Sequence, residues 1–148
     1  PNLVGFLGYV VLGYISDKVS RRNLVAVSWV IAGVLWAIMI LWAQDFVSIM
    51  LLFSASAFFE AGSYAPMFTY LAESYPTRMR GSGVAFTNAI GQIGGIIGSA
   101  GFGILLASGL SVNDAAWILG LIPMLLAAVL IFGARNVAPR TALEAIAI

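Results

Sequence analysis

Four stretches of this chain, residues 24–43, 46–71, 83–108 and 115–133, run for 20, 26, 26 and 19 residues with a single charge among them, Glu60. A helix needs about 20 apolar residues to cross the hydrocarbon core of a bilayer, so each stretch is long enough to span one. In hydrocarbon every backbone polar group must be bonded internally, which leaves helices or closed barrels. Barrel strands alternate polar and apolar over about 10 residues, and these stretches do not. The expected fold is therefore all-α: a polytopic helical membrane protein with four full transmembrane helices. A fifth apolar stretch, 1–15, is too short for a full span and touches the start of the chain. With no initiator Met, basic n-region or cleavage site beside it, it reads as the truncated end of a further helix in a fragment rather than as a signal peptide.

Composition narrows the chemistry. Hydrophobic residues make up 61% and charged residues 9%, against about a quarter charged in soluble domains, which excludes a soluble globule and disorder. A net charge of +1 offers no basic field for nucleic acid. With no Cys and no His, no metal or cofactor is expected, and neither is an enzyme, because acid–base and nucleophilic chemistry lack their usual groups. A channel would want polar or charged rings repeated along a pore, and only Glu60 offers one.

The seven cations are Lys18, Arg21, Arg22, Arg78, Arg80, Arg135 and Arg140. They fall in the first and third connections and the tail, while connections 43–45 and 109–114 have none. Alternate connections of a bundle share a side, so the positive-inside rule puts the charged loops and the tail in the cytoplasm of a multi-pass cell-membrane protein. Trp42 and Trp117 are then expected at the outer interface, and Tyr70 and Tyr75 at the inner one.

Glu60 lies near the midplane of its span, where a carboxylate costs roughly 3 kcal/mol and must face the bundle interior or a water-filled cavity. It reads either as a substrate or proton site or as a structural carboxylate. Gly62 and Pro66 follow in the same helix and predict a bend, since proline removes a backbone donor. Tyr64 and Phe68, four and eight residues on, are expected on the face of Glu60. In the next span, Gly91 with Gly95 and Gly94 with Gly98 form small-xxx-small pairs suited to close helix packing or to sliding. Asn88 and Gln92, four apart, place two amides on one face, as interhelical bonds or as substrate contacts. In the first charged connection Asn23 is expected to cap the following helix; in the other Pro76 stops one helix and Gly81 eases entry to the next.

These two connections carry a resemblance. The first is similar to G-x-x-x-D-[RK]-x-G-R-[RK], with Gly13, Asp17, Lys18, Arg21 and Arg22 matching and Ser20 in place of the second glycine. The second resembles E-x-[FY]-P-T-x-x-R-G-x-G, matched by Glu73, Tyr75, Pro76, Thr77, Arg80, Gly81 and Gly83. Both are signatures of the major facilitator superfamily, the second of its sugar-porter and metabolite:proton-symporter branches. The resemblance covers the chain and implies that residues 1–148 are the C-terminal half of a twelve-helix transporter, from the end of helix 8 to the tail, with the N-terminal half as the missing partner. Tail residues Pro139, Thr141, Leu143 and Glu144 resemble the sugar porters' ending at shortened spacing.

The resemblance implies secondary active transport of a small organic solute by alternating access, with protons as the coupling ion. A substrate site would hold Glu60, Tyr64, Phe68, Asn88 and Gln92. A cytoplasmic gate would be built from Asp17, Arg21, Glu73 and Arg80, with Gly13, Lys18 and Arg22 completing the motif. Residues 57–62 look like the tenth helix of facilitative sugar carriers. Residues 83–95 resemble organic-acid and aromatic-acid symporters, although Gln92 stands where those often carry Arg. Both branches stay open, as do a uniporter, an efflux carrier and a non-transporting sensor or scaffold of the same fold.

Overall fold

The computed structural model describes residues 2–43 and 45–134, and these are helical with no strand among them. The residues of the tail that resemble the sugar-porter ending lie outside the described residues. In chain order the helices are α1 (Asn2–Ser16), α2 (Arg21–Trp42), α3 (Phe46–Gly62), α4 (Tyr64–Ser74), α5 (Arg80–Ala107), α6 (Val112–Ala116) and α7 (Ile122–Gly133). Four continuous helical runs are long and apolar enough to cross a membrane: Arg21–Trp42, Phe46–Ser74, Thr77–Ala107 and Val112–Gly133. They coincide with the four spans expected from sequence, three ends reaching three residues further, the start of the third span six further, and the other four ends agreeing to within one residue. α1 is the shorter apolar helix.

The helix ends follow from their residues. Asp45 caps α3, accepting from the Ser48 amide at 2.9 Å and its hydroxyl at 2.7 Å. Those two bonds hold the Asp45 carboxyl below its ordinary range. Gly109 ends α5 in the left-handed region (φ 91°); its N–H bonds Leu106 O at 3.0 Å and Leu110 N–H bonds Leu105 O at 3.2 Å, a Schellman closure. Asn23 does not cap α2. The position before α2 is Ser20, which makes no side-chain capping bond, and Asn23 lies inside the helix, where its Oδ1 accepts from Arg22 Nε at 3.0 Å. Pro76 stands between α4 and a 3-10 turn at Thr77–Met79, and Gly81 falls one residue inside α5.

The tightest packing joins α1 to α3. A Cβ added at Gly5 would meet Ala61 Cβ at 3.1 Å, and one at Gly8 would fall on the Phe58 carbonyl. One at Gly62 would lie 2.7 Å from the Gly8 carbonyl carbon. Residue numbers rise together along the contact (Gly5 by Ala61, Gly13 by Ala65), so these two non-consecutive helices run parallel. Lipid tails are as apolar as leucine, so van der Waals approach of bare backbone is what binds such helices. The glycines of α5 behave differently. A Cβ at Gly91, Gly94, Gly95 or Gly98 would meet nothing within 4 Å among the described residues, and α5 has no buried residue. Among the described residues the close approaches of α5 fall instead at Gly83, where a Cβ would lie 2.7 Å from the Tyr75 ring, and at Gly101, where it would lie 3.2 Å from Leu119 Cδ1.

α2 runs antiparallel to α7. Arg22, at the start of α2, donates from Nη1 to the Ala134 carbonyl at 2.8 Å, at the end of α7, where a cation meets the negative pole of the helix. Within α7's span the helix widens to a π turn at Trp117–Leu121, closed by Ile122 N–H to Trp117 O. Pro123, without a backbone N–H, follows immediately, and the wider turn accommodates it. Tyr70, expected at a membrane interface, is instead 9% exposed, and Tyr75 lays its ring over Gly83 with its hydroxyl 3.4 Å from Thr87 Oγ1. Trp42 is exposed, as an interfacial ring would be.

Because the Phe58 carbonyl leaves no room for a side chain at position 8, Gly8→Val is expected to destabilise the protein by about 2 kcal/mol or more through overpacking. Thermal unfolding of the purified transporter in detergent measures this; an unshifted midpoint would show that α1 does not seat against α3 as described.

Candidate functional site

The third span is broken where the sequence predicts a bend. α3 ends at Gly62, Ser63 is the junction, and α4 begins at Tyr64. Pro66 cannot donate to the Gly62 carbonyl, so the ladder has a gap there. Beside that gap the Ser63 hydroxyl donates to a different carbonyl, that of Glu60, at 2.7 Å and accepts from the Trp29 indole N–H at 2.7 Å. Trp29 belongs to α2, so this short chain of bonds fastens α2 to the break. Ser63 and Pro66 are buried.

Glu60, two residues before the break, is exposed within the described residues and borders two cavities. It lines a cavity of about 290 Å³ with Trp29 and Trp36 of α2, Tyr64 of α4, and Leu119, Gly120, Met124 and Ala127 of the last span. It also borders a larger one of about 870 Å³, which Gly98, Ser99 and Phe102 of α5 help to line. The π turn brings Gly120 to this wall, where a Cβ would stand 3.9 Å from the Trp36 ring. Trp36 Nε1 is buried with no hydrogen-bond partner. Among the described residues neither wall contains Lys or Arg.

The five expected substrate residues are not brought together. Tyr64 joins Glu60. Phe68 stacks on Tyr64 (centroids 6.1 Å apart, 27° between planes) but lines a different cavity, of about 390 Å³, between α1 and the broken helix. Tyr64, four residues on, lines both cavities, while Phe68, eight residues on and beyond the break, lines only the second. Asn88 and Gln92 are exposed on α5 and line none of these three cavities. Trp29, Trp36 and Ser63 are the contributors sequence reasoning missed. A tryptophan pair seven apart on α2 was the available signal, since that spacing puts two rings on one helix face.

At the end of the bundle where α1 meets α2, the charges cluster. Arg21 Nη2 bonds Asp17 Oδ1 at 3.1 Å, and Arg21 Nη1 is paired with Glu73 Oε2. The Arg21 side chain is 4% exposed, Glu73 17% and Asp17 53%. Arg80 Nε is buried without a hydrogen-bond partner among the described residues. Lys18 Nζ sits 4.4 Å above the Tyr14 ring, and Ser16 donates to the Gly13 carbonyl at 2.6 Å.

Four membrane-length helices, one of them broken beside a cavity-lining carboxylate, and a buried arginine between two acids at one end define a polytopic membrane protein of the transporter type. The chain belongs to the Major Facilitator Superfamily, whose family model matches residues 1–147. It is 30% identical to the gallate transporter of Pseudomonas putida over 119 residues, 79% of this chain and 26% of that protein. It is 30% identical over 105 residues to a Bacillus subtilis protein named for niacin/nicotinamide transport, covering 70% and 26% of the two chains. With the cis,cis-muconate transport protein of Acinetobacter baylyi it shares 28% over 125 residues, 80% and 30%. The chain spans between a quarter and a third of the length of these curated relatives, and no solved structure matches it.

Breaking a buried ion pair by removing one partner costs about 3–5 kcal/mol, and an exposed pair about 1 kcal/mol or less. Glu73→Gln is therefore expected to lower stability by about 2–3 kcal/mol, with Asp17 still bound to Arg21, and Asp17→Asn by about 1 kcal/mol or less. Denaturation midpoints of the two variants rank the partners of Arg21; the reverse order would put the buried contact at Asp17.

Proposed function

We propose that this chain forms most of the C-terminal half of a secondary transporter that carries a small organic acid, of the ring-bearing metabolite kind, across the cell membrane by alternating access. The observation that carries the reading is the Glu60 cavity: a membrane carboxylate beside a helix break, walled by Trp29, Trp36 and Tyr64. Broken helices whose ends meet a central cavity are the usual construction of transporter sites. The relatives' names, for gallate, muconate and niacin, favour organic acids over sugars as the cargo class. Glu60 and Tyr64 contact the cargo, and Phe68, Asn88 and Gln92 stand on faces that the remaining helices complete. Protons are the coupling ion.

In this reading the seven cations mark the cytoplasmic side. The Asp17–Arg21–Glu73 cluster holds α1, α2 and α4 together there. It favours the outward-facing state and separates when the cytoplasmic side opens, with Arg80 near the same layer.

The test is counterflow in liposomes by the full-length transporter, which needs no proton gradient. Exchange of a ring-bearing organic acid is expected, and loss of at least tenfold in apparent affinity in Glu60→Gln; exchange of aliphatic acids alone would overturn the ring-bearing reading. Wild-type affinity in that variant would remove Glu60 from the site. Asp17→Asn is expected to shift the population inward and slow net uptake, read by labelling of outward-facing cysteine reporters; unchanged labelling would count against the gate.

A further inference from the structure

The Glu60 cavity is chemically one-sided. Its wall carries one formal charge, the Glu60 carboxylate, and no cation among the described residues. The larger cavity bordering Glu60 adds none. An ionised carboxylate accepts at about four lone-pair positions and donates nowhere. The Trp29 N–H is taken up by Ser63, which leaves the buried Trp36 Nε1–H, set against Glu60, and the Tyr64 hydroxyl as the donors of this wall. Glu60 itself is exposed within the described residues. Two donors do not fill about four acceptor positions, so the cavity keeps acceptor capacity between the ring faces of Trp29, Trp36 and Tyr64. At about 290 Å³ it lies at the lower end of small-molecule pockets, roughly 300–1,000 Å³, which suits a single ring.

We infer that this cavity takes the hydrogen-bond-donor edge of a single-ring cargo, a ring hydroxyl or amine, with the cargo's own carboxylate turned away from Glu60. The inference rests on the transport reading above and deepens it into a rule of specificity and orientation. Two carboxylates in one small cavity repel, and no cation on this wall offsets them. A donor group, in contrast, makes a charge-assisted bond to Glu60, among the stronger hydrogen bonds available to a neutral ligand. A ring lacking that donor would press an apolar or acceptor edge against Glu60 and leave acceptor positions of the carboxylate unfilled, an arrangement binding sites discriminate against.

The experiment is competition against counterflow by the full-length transporter in liposomes, with benzoate, 4-methoxybenzoate, 4-hydroxybenzoate and 4-aminobenzoate as probes. The methoxy compound keeps the oxygen and removes the donor. In the wild type the hydroxy and amino probes are expected to compete about tenfold more tightly than the methoxy probe and benzoate, the difference one charge-assisted hydrogen bond makes. In Glu60→Gln the ratio should shrink to about threefold or less. The wild-type comparison stands without any variant, so a poorly folding Glu60→Gln does not rescue the proposal. Exchange of all four probes with no donor preference overturns this inference and leaves the transport reading intact. A donor preference that survives in Glu60→Gln also overturns it, by placing the discrimination elsewhere. Full counterflow in Glu60→Gln with loss only of gradient-driven uptake would make Glu60 a proton carrier and overturn it too. If none of the probes competes or exchanges, the ring-acid reading falls, and this inference with it.

Discussion

A break in a membrane helix exposes backbone that water cannot reach, and the rest of this structure is arranged around one such break. Pro66 leaves the Gly62 carbonyl without its helical donor, and Ser63 stands at that junction. The Ser63 hydroxyl binds the nearby Glu60 carbonyl and receives the Trp29 indole N–H, so the break is tied from α3 across to α2. The Trp29 ring that supplies this bond is also a wall of the Glu60 cavity. The break, the cavity and the seat of α2 are therefore one construction. Glu60 borders the cavity close to residues that are pinned, Gly62 against Gly8 and Ser63 by Trp29.

A second constraint acts at the charged end. Arg21 is almost wholly removed from solvent, and it is tolerable there because two carboxylates, from α4 and from the α1–α2 connection, converge on it. Burial makes the arrangement unforgiving of a missing partner, whereas its net worth against an apolar substitute is small. Arg22 next door binds the end of α7, so adjacent residues tie α2 to three other parts of the bundle. That density of ties at one end contrasts with α5, which has no buried residue among those described.

The spans were legible because hydrocarbon is a severe filter: apolar runs of 20 residues with no charge have few other fates. The Arg21 cluster was legible in part, since Asp17 four residues before Arg21 is within reach on one helical turn, and Glu73 stands in a connection expected on the same side. The cavity was not legible. Glu60 and Pro66 announce themselves by being expensive in lipid, but Trp29, Trp36 and Ser63 are ordinary membrane residues. Their role depends on how α2 is rotated against α3, which no local pattern encodes. The glycines failed for the same reason. A run of them in α5 is conspicuous, yet whether a bare helix face is used depends on what lies opposite, and among the described residues the approaches under 3 Å fall at Gly8, Gly33, Gly62 and Gly83.

The parallel seating of α1 on α3 has a consequence for how the protein is made. The groove that receives Gly8 is formed by Phe58 and Gly62, about fifty residues further along the chain. α1 therefore leaves the ribosome and enters the bilayer before its binding partner exists, and its bare glycine face waits while a hairpin of two further helices is synthesised. During that interval α3 cannot cover that face. The contact between α1 and α3 therefore forms only once α3 has been inserted.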